Sequence, residues 1–207
     1  MAGLESFRPG DVIDRGMDFA VGAVALVLAT PIMLAVALAV RVALGSPVMF
    51  SQRRAGLRGR SFTIRKFRTM ADRRDAAGRL LPDSERTPAF GRWLRRSRLD
   101  ELPQLISLVT GDMSLIGPRP LLPETIAAFG DAGVIRGMVR PGLTGWAQAH
   151  GNSVLSDQDK LALDIWYLGN RTRRRDLLIL LLTARMILSG ERIDGRRLAE
   201  ARRAARG

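Results

Sequence analysis

The chain has 207 residues, with 33 Lys and Arg against 20 Asp and Glu, a formal net charge of +13. It has no Cys and a single His, which excludes thiol nucleophiles, disulfides, Cys-based zinc sites and His-rich metal centres. The positive charge attracts polyanions such as anionic lipid, phosphorylated substrate or nucleic acid. With only 5% aromatic residues and no glycine-aromatic RNA-binding pattern, nucleic acid is not the expected partner.

Residues 19–40 carry no charge, and a membrane span needs about 20 apolar residues. The segment lies too far from the N-terminus for a secretory signal core. Thr30-Pro31 falls near its middle. Proline removes an N–H and crowds the preceding turn, so a kink is expected there. The Thr30 hydroxyl can compensate by bonding a nearby carbonyl. The pattern fits either a bent span or a hairpin that leaves by the face it entered. The flank after it is basic (Arg41, Arg53, Arg54, Arg58, Arg60), and the flank before it mixes Arg8 and Arg15 with Asp11, Asp14 and Asp18. The bulk of the chain is therefore expected on the cytoplasmic side of the membrane.

Two strands are expected at 48–52 and 62–68, joined by a turn at 56–59. In the second, Phe62, Ile64, Lys66 and Arg68 share one face. Residues 72–83 read as an exposed loop. Helix-spaced apolar residues between 90 and 109 are interrupted by Pro103, so a new helix is expected near Asp100. Residues 123–138 read as helix, 140–146 as a turn-rich loop and 161–168 as a short helix. The apolar stretch 176–188 follows Arg171, Arg173, Arg174 and Arg175. It suits a helix at the bilayer interface, or equally one packed on the core. From Glu191 on, an exposed basic tail is expected. The resulting fold class is α+β: a mostly helical domain (46–190) with a short β-hairpin, a membrane segment with its lead-in (1–45) and a tail (191–207).

Few groups are left for chemistry. A lone His is more often structural than catalytic, and His150 is read that way. Asp100 and Glu101 are adjacent at a helix start, about 100° apart. By spacing alone they suit a solvated helix-capping pair. Their surroundings argue for more. Lys66 and Arg68 share a strand face, Arg95, Arg96 and Arg98 precede the pair, and Pro118-Arg119-Pro120 fixes a guanidinium in a rigid turn. Each Arg alone reads equally well as a solvated charge. Together they suit a phosphate, and the two carboxylates with a diphosphate suit Mg²⁺.

These residues resemble the small monotopic phosphoglycosyl transferases of bacteria. The segments that carry the resemblance are Lys66-Phe67-Arg68-Thr69-Met70, Leu99-Asp100-Glu101-Leu102, Gly111-Asp112-Met113-Ser114, Gly117-Pro118-Arg119-Pro120 and Val139-Arg140-Pro141-Gly142-Leu143-Thr144-Gly145-Trp146-Ala147-Gln148, continued by Leu163-Asp164, Tyr167 and Asn170. The resemblance implies a re-entrant membrane helix broken at a Ser-Pro-like pair, here Thr30-Pro31. It implies an Asp-Glu dyad with Asp100 as nucleophile and Mg²⁺ assisting at Asp100 and Glu101. It implies a UDP-sugar donor and a polyprenyl phosphate acceptor, usually undecaprenyl phosphate. It implies polyprenyl-diphosphate-sugar and UMP as products, formed at the cytoplasmic face of the inner membrane, where glycan assembly starts. Lys66, Arg68, Arg95, Pro118, Arg119, Pro120, Arg140, Asp164 and Asp176 are the expected substrate-binding residues. Family members often read Asn-Gly-Arg where this chain has His150-Gly151-Asn152, so one expected phosphate-binding arginine is missing. The sugar and the oligomeric state stay open, a homodimer included. The competing reading is a non-catalytic, membrane-anchored adaptor whose basic face binds anionic lipid or nucleic acid.

Overall fold

The computed structural model describes residues 12–190 and 192–205. Arg8 and Asp11 of the N-terminal flank lie outside the described residues. The chain starts with a single long helix, α1 (Val12–Leu44), followed by the antiparallel pair β1 (Met49–Ala55) and β2 (Ser61–Phe67). Next come α2 (Asp83–Arg86), α3 (Ala89–Arg96), a 3-10 helix over Leu99–Gln104, α4 (Leu105–Thr110) and β3 (Ser114–Ile116). Then follow α5 (Pro123–Ala128), α6 (Asp131–Arg136), β4 (Gly142–Thr144), α7 (Trp146–Ala149), α8 (Asp157–Gly169), α9 (Arg173–Ser189) and α10 (Gly195–Ala204).

α1 is long and apolar enough to cross a membrane, and it fits a membrane anchor. It runs through Thr30-Pro31 without a loop, and Thr30 Oγ1 donates to the Leu26 carbonyl at 2.7 Å. That bond goes to the carbonyl next to that of Val27, which is the one that loses its helical donor at Pro31. Its outward face (Val24, Val27, Leu28, Leu34, Leu38) is exposed, whereas Val36 and Val40 are buried against Phe67 and Leu94. The beginning of the helix is bound as well. Arg15 donates to the Leu108 and Val109 carbonyls, both at 2.7 Å, capping the last turn of α4. The buried Asp18 accepts from the Leu115 backbone N–H and from the Ser114 hydroxyl. Both ends of the apolar helix are therefore held by one and the same domain.

The hairpin register pairs Phe50 with Lys66 and Ala55 with Ser61, and the inward alternation of Phe62, Ile64 and Lys66 matches the expected shared face. The 90–109 segment breaks earlier than Pro103. Arg98 takes a left-handed conformation (φ 60°) that ends α3, and Pro103 sits inside the 3-10 helix. The turn-rich 140–146 segment contains β4, which pairs in parallel with β3. Each strand has only three residues, too few for a period to show. Glycine permits the pairing, since a Cβ on Gly142 or Gly145 would lie about 2 Å from Gly117 backbone atoms.

A core of Trp146, Leu163, Tyr167 and Ile179 joins α7, α8 and α9. The expected exposed tail is corrected here. Residues 195–204 form α10, whose Leu198 and Ala201 are buried in this same core. Asp194 caps it, accepting from the Arg196 and Arg197 N–H groups. Two apolar residues three apart on an arginine-rich helix give a narrow stripe, but one wide enough to dock on α8.

Candidate functional site

β2 delivers Lys66 to the floor of a cleft of about 630 Å³, and α3 and the 3-10 helix form one wall. α3 approaches closely because of Gly91, where a Cβ would come within 1.9 Å of the Thr69 carbonyl. One turn later Arg95 Nε donates to Thr69 Oγ1 at 2.9 Å. The left-handed turn at Arg98 then swings the backbone so that Asp100 and Glu101 enter the cleft from the first turn of the 3-10 helix. On the opposite side Pro118 and Pro120 are buried, and Arg119 between them faces the cleft. Lys66, Arg68, Arg95, Asp100, Glu101 and Arg119 thus line one cleft.

The two carboxylates are not equivalent. Glu101 Oε1 accepts from Lys66 Nζ at 2.5 Å and from Arg119 Nη2 at 3.1 Å, and its Oε2 accepts from Arg98 Nη1 at 3.2 Å. Burial pushes Glu101 up, but Arg119, Lys66 and Arg98 outweigh it and hold the carboxyl well below the usual range. Asp100 is 8% exposed. Burial, reinforced by the Glu101 charge, lifts its carboxyl to about 6 against the pull of Lys66, Arg95 and Arg98. One carboxylate is a fixed anion that gathers cations. Its neighbour is a desolvated group titrating near neutrality, as expected of a reacting side chain.

Several cations in the cleft already carry structural bonds. Arg68 donates to the carbonyls of Leu44 and Ser46, tying the end of α1 to the site. Arg54, in the sequence only one residue of the basic flank, lines the cleft with its Nε buried and without a partner among the described residues. Burial and the nearby Arg119 guanidinium pull Arg54 below the ordinary arginine value. Two guanidiniums side by side with an orphaned donor call for an anion between them. Asn152 lines the same cleft and accepts from Arg119 Nη1 at 3.4 Å. The residue in the place of the expected arginine is thus still at the site, through Arg119. The alternation of β1 could have pointed to Arg54, which sits two residues beyond Gln52, another cleft residue.

Other expected binding residues lie outside the cleft. Asp164 is 1% exposed and pairs with Arg136 at 2.8 Å. Burial pushes its carboxyl up and the Arg136 guanidinium opposes that. Arg136 Nη2 in turn donates to the Arg119 carbonyl at 2.5 Å, so Asp164 acts on the cleft only through the backbone that presents Arg119. Asp176 accepts from the Tyr167 hydroxyl and from Arg171, joining α8 to α9. Arg140 Nε donates to the Gly111 carbonyl at 3.0 Å, closing the turn after α4. Pro118 and Pro120 act by packing, as brackets for Arg119. His150 is buried against Trp146 with its Nδ1 2.8 Å from the Trp146 carbonyl, and burial pushes it down toward the neutral form. That is a structural role.

The donor set fits Mg²⁺ in one way only. Among the described residues no three Asp, Glu or His side chains cluster as a metal cage, and both Glu101 oxygens already accept from cations. Asp100 supplies one hard oxygen beside a cationic cleft, which suits an ion that arrives with substrate phosphates rather than one held by protein alone.

Residues 10–190 match the sequence family described as bacterial sugar transferase. An uncharacterized sugar transferase of Bacillus subtilis (strain 168) is 43% identical over 183 residues, 88% of this chain and 91% of that protein. A UDP-N-acetylgalactosamine-undecaprenyl-phosphate N-acetylgalactosaminephosphotransferase of Aeromonas hydrophila is 38% identical over 90% of this chain, which spans only 47% of that protein. A UDP-glucose:undecaprenyl-phosphate glucose-1-phosphate transferase of Caulobacter vibrioides is 34% identical over 90% of this chain and 76% of its own length.

Proposed function

We propose, because the chain belongs to the bacterial sugar transferase family, that it transfers a sugar-1-phosphate from a UDP-sugar to polyprenyl phosphate at the cytoplasmic membrane surface. The observation that carries this reading is the division of the dyad. A buried carboxyl at about 6 stands beside a carboxylate locked among Lys66, Arg98 and Arg119.

In the first step an Asp100 carboxylate oxygen attacks the sugar-bearing phosphorus of the donor. The bond from that phosphorus to the bridging oxygen breaks, and UMP leaves. In the second step a phosphate oxygen of the acceptor attacks the same phosphorus, and the Asp100 carboxylate departs with its electron pair. Two displacements replace one encounter between two anions. Arg119 and Arg54 neutralise the diphosphate and the leaving UMP. Glu101 holds Lys66, Arg98 and Arg119 as one unit and keeps their combined charge from repelling the arms apart. Mg²⁺, held by Asp100 together with the donor phosphates, would supply further charge neutralisation on the diphosphate.

The anchoring of α1 supports a monotopic placement. A straight helix would separate Asp18 from Val40 by about 33 Å, more than the ~30 Å hydrocarbon core. A domain that grips both ends cannot sit on one side of a bilayer that such a helix crosses. In this reading the helix enters and leaves by one face, Pro31 is the position at which it would bend, and the exposed face of α1 lies in lipid with the cleft at the surface.

The direct test is UMP release from a panel of UDP-sugars, with and without polyprenyl phosphate and Mg²⁺. Acceptor-dependent UMP release supports the proposal. None with any UDP-sugar leaves the adaptor reading. A pH profile tests the dyad separately. The Asp100 carboxyl is raised, so its reactive anion is depleted below about 6 and restored above it, while Glu101 stays ionised throughout. The rate of donor-only adduct formation is expected to rise roughly tenfold between about pH 5 and about pH 7 and then level off. A rate flat across that window counts against Asp100 as nucleophile.

A further inference from the structure

A second space lies beside the catalytic cleft. Arg98 and Glu101 also line a groove of about 360 Å³ on their other side. Its walls come from Leu105 of α4, Leu115 of β3, Leu143 of β4, and Leu180, Ala184 and Ile187 of α9. A hydroxyl bridge of 2.6 Å between Thr144 and Thr183 fixes α9 as the far wall.

We infer that this groove takes the isoprenoid segment next to the phosphate of the lipid acceptor. The inference rests on the proposed function and places its second substrate. Three observations carry it. The groove and the cleft share Arg98 and Glu101 as lining residues, so a phosphate held beside Arg98 would stand next to Asp100 with its alkyl tail reaching into the groove. The lining is mainly aliphatic, with the Arg98–Glu101 pair among its few charged groups, which suits an alkyl chain and offers a nucleoside few partners. Both walls also adjoin apolar surface: α4 carries the docked apolar helix α1, and the outer face of α9 exposes Leu177 and Leu181 by 59% and 61%. The groove is too small for a whole polyprenyl chain, so the distal units stay in the bilayer.

Ala184 is exposed at the groove, so a larger side chain there fills the space without disturbing the core. The full-length wild type, Ala184→Trp and Leu180→Lys are compared in three assays. These are formation of the covalent adduct with UDP-sugar alone, its transfer to farnesyl phosphate, and its transfer to methyl phosphate, which has no chain to bind. Both variants are expected to form adduct at the wild-type rate and to react normally with methyl phosphate. Their KM for farnesyl phosphate should rise about tenfold, the loss expected when a few buried methylenes lose their site. An unchanged farnesyl phosphate KM in both variants overturns the inference, as it does if the variants alter only binding to phosphatidylglycerol vesicles. Equal losses in all three assays overturn it too, since the residues would then shape the site rather than hold a chain. A wild type that forms no adduct with any UDP-sugar overturns the functional proposal itself, which these variants alone do not test.

Discussion

Asp100→Asn is expected to abolish the phosphosugar adduct that intact mass shows on incubation with donor alone, and to lower turnover by about a thousandfold or more. The substitution keeps the shape of a side chain that is only 8% exposed. It removes just the oxygen that becomes bonded to phosphorus. Because burial already holds Asp100 partly protonated near neutral pH, a neutral amide costs little fold stability there. Loss of activity with an unchanged thermal midpoint therefore assigns chemistry rather than folding. Glu101→Gln should differ. Three cations that converge on one carboxylate lose their counter-ion, so both midpoint and activity should fall. An undiminished adduct in Asp100→Asn would sink the nucleophile assignment.

The two variants separate because the environment treats neighbouring carboxylates differently, and that difference is three-dimensional. In the sequence, Asp100-Glu101 read first as a helix cap. The arginines from 95 to 98 and the bracketed Arg119 suggested a shared anion site, and the structure brings them together. What the sequence could not convey is the left-handed turn at Arg98 (φ 60°), since a lone non-glycine residue of this kind leaves no periodic trace. That turn, rather than Pro103, aims the dyad. Arg54 was hidden for a related reason. It shares a face of β1 with Phe50 and Gln52, but the other face holds Met49 beside Arg53, so no clean apolar-polar alternation singled it out. The β3–β4 pair was too short to carry a pattern, and α10 carried only Leu198 and Ala201 as signal among its arginines. By contrast α1, the hairpin and α9 were legible because long apolar runs and period-two alternation are statements about burial itself.

Asp164 tests how far a residue outside the cleft controls it. The sequence suggests a substrate contact, whereas the structure buries it with Arg136, whose Nη2 also holds the Arg119 carbonyl. Removing the charge in Asp164→Asn leaves the 5% exposed Arg136 uncompensated. Breaking such a pair costs about 3–5 kcal/mol. For a chain of this size that lowers the thermal midpoint by roughly 10 °C. Stability and function should then part company in the double variant Arg136→Met/Asp164→Leu. An apolar replacement of a buried ion pair is often neutral in stability, so the midpoint should recover most of its loss. The Arg119 backbone would still lack its anchor, so the KM for the UDP-sugar should stay raised, while the pH dependence of adduct formation keeps its inflection near 6. Recovery of both midpoint and donor KM would show that Arg136 does not position Arg119. A donor KM that is normal even in Asp164→Asn would show that the Arg119 turn is rigid enough from Pro118 and Pro120 alone.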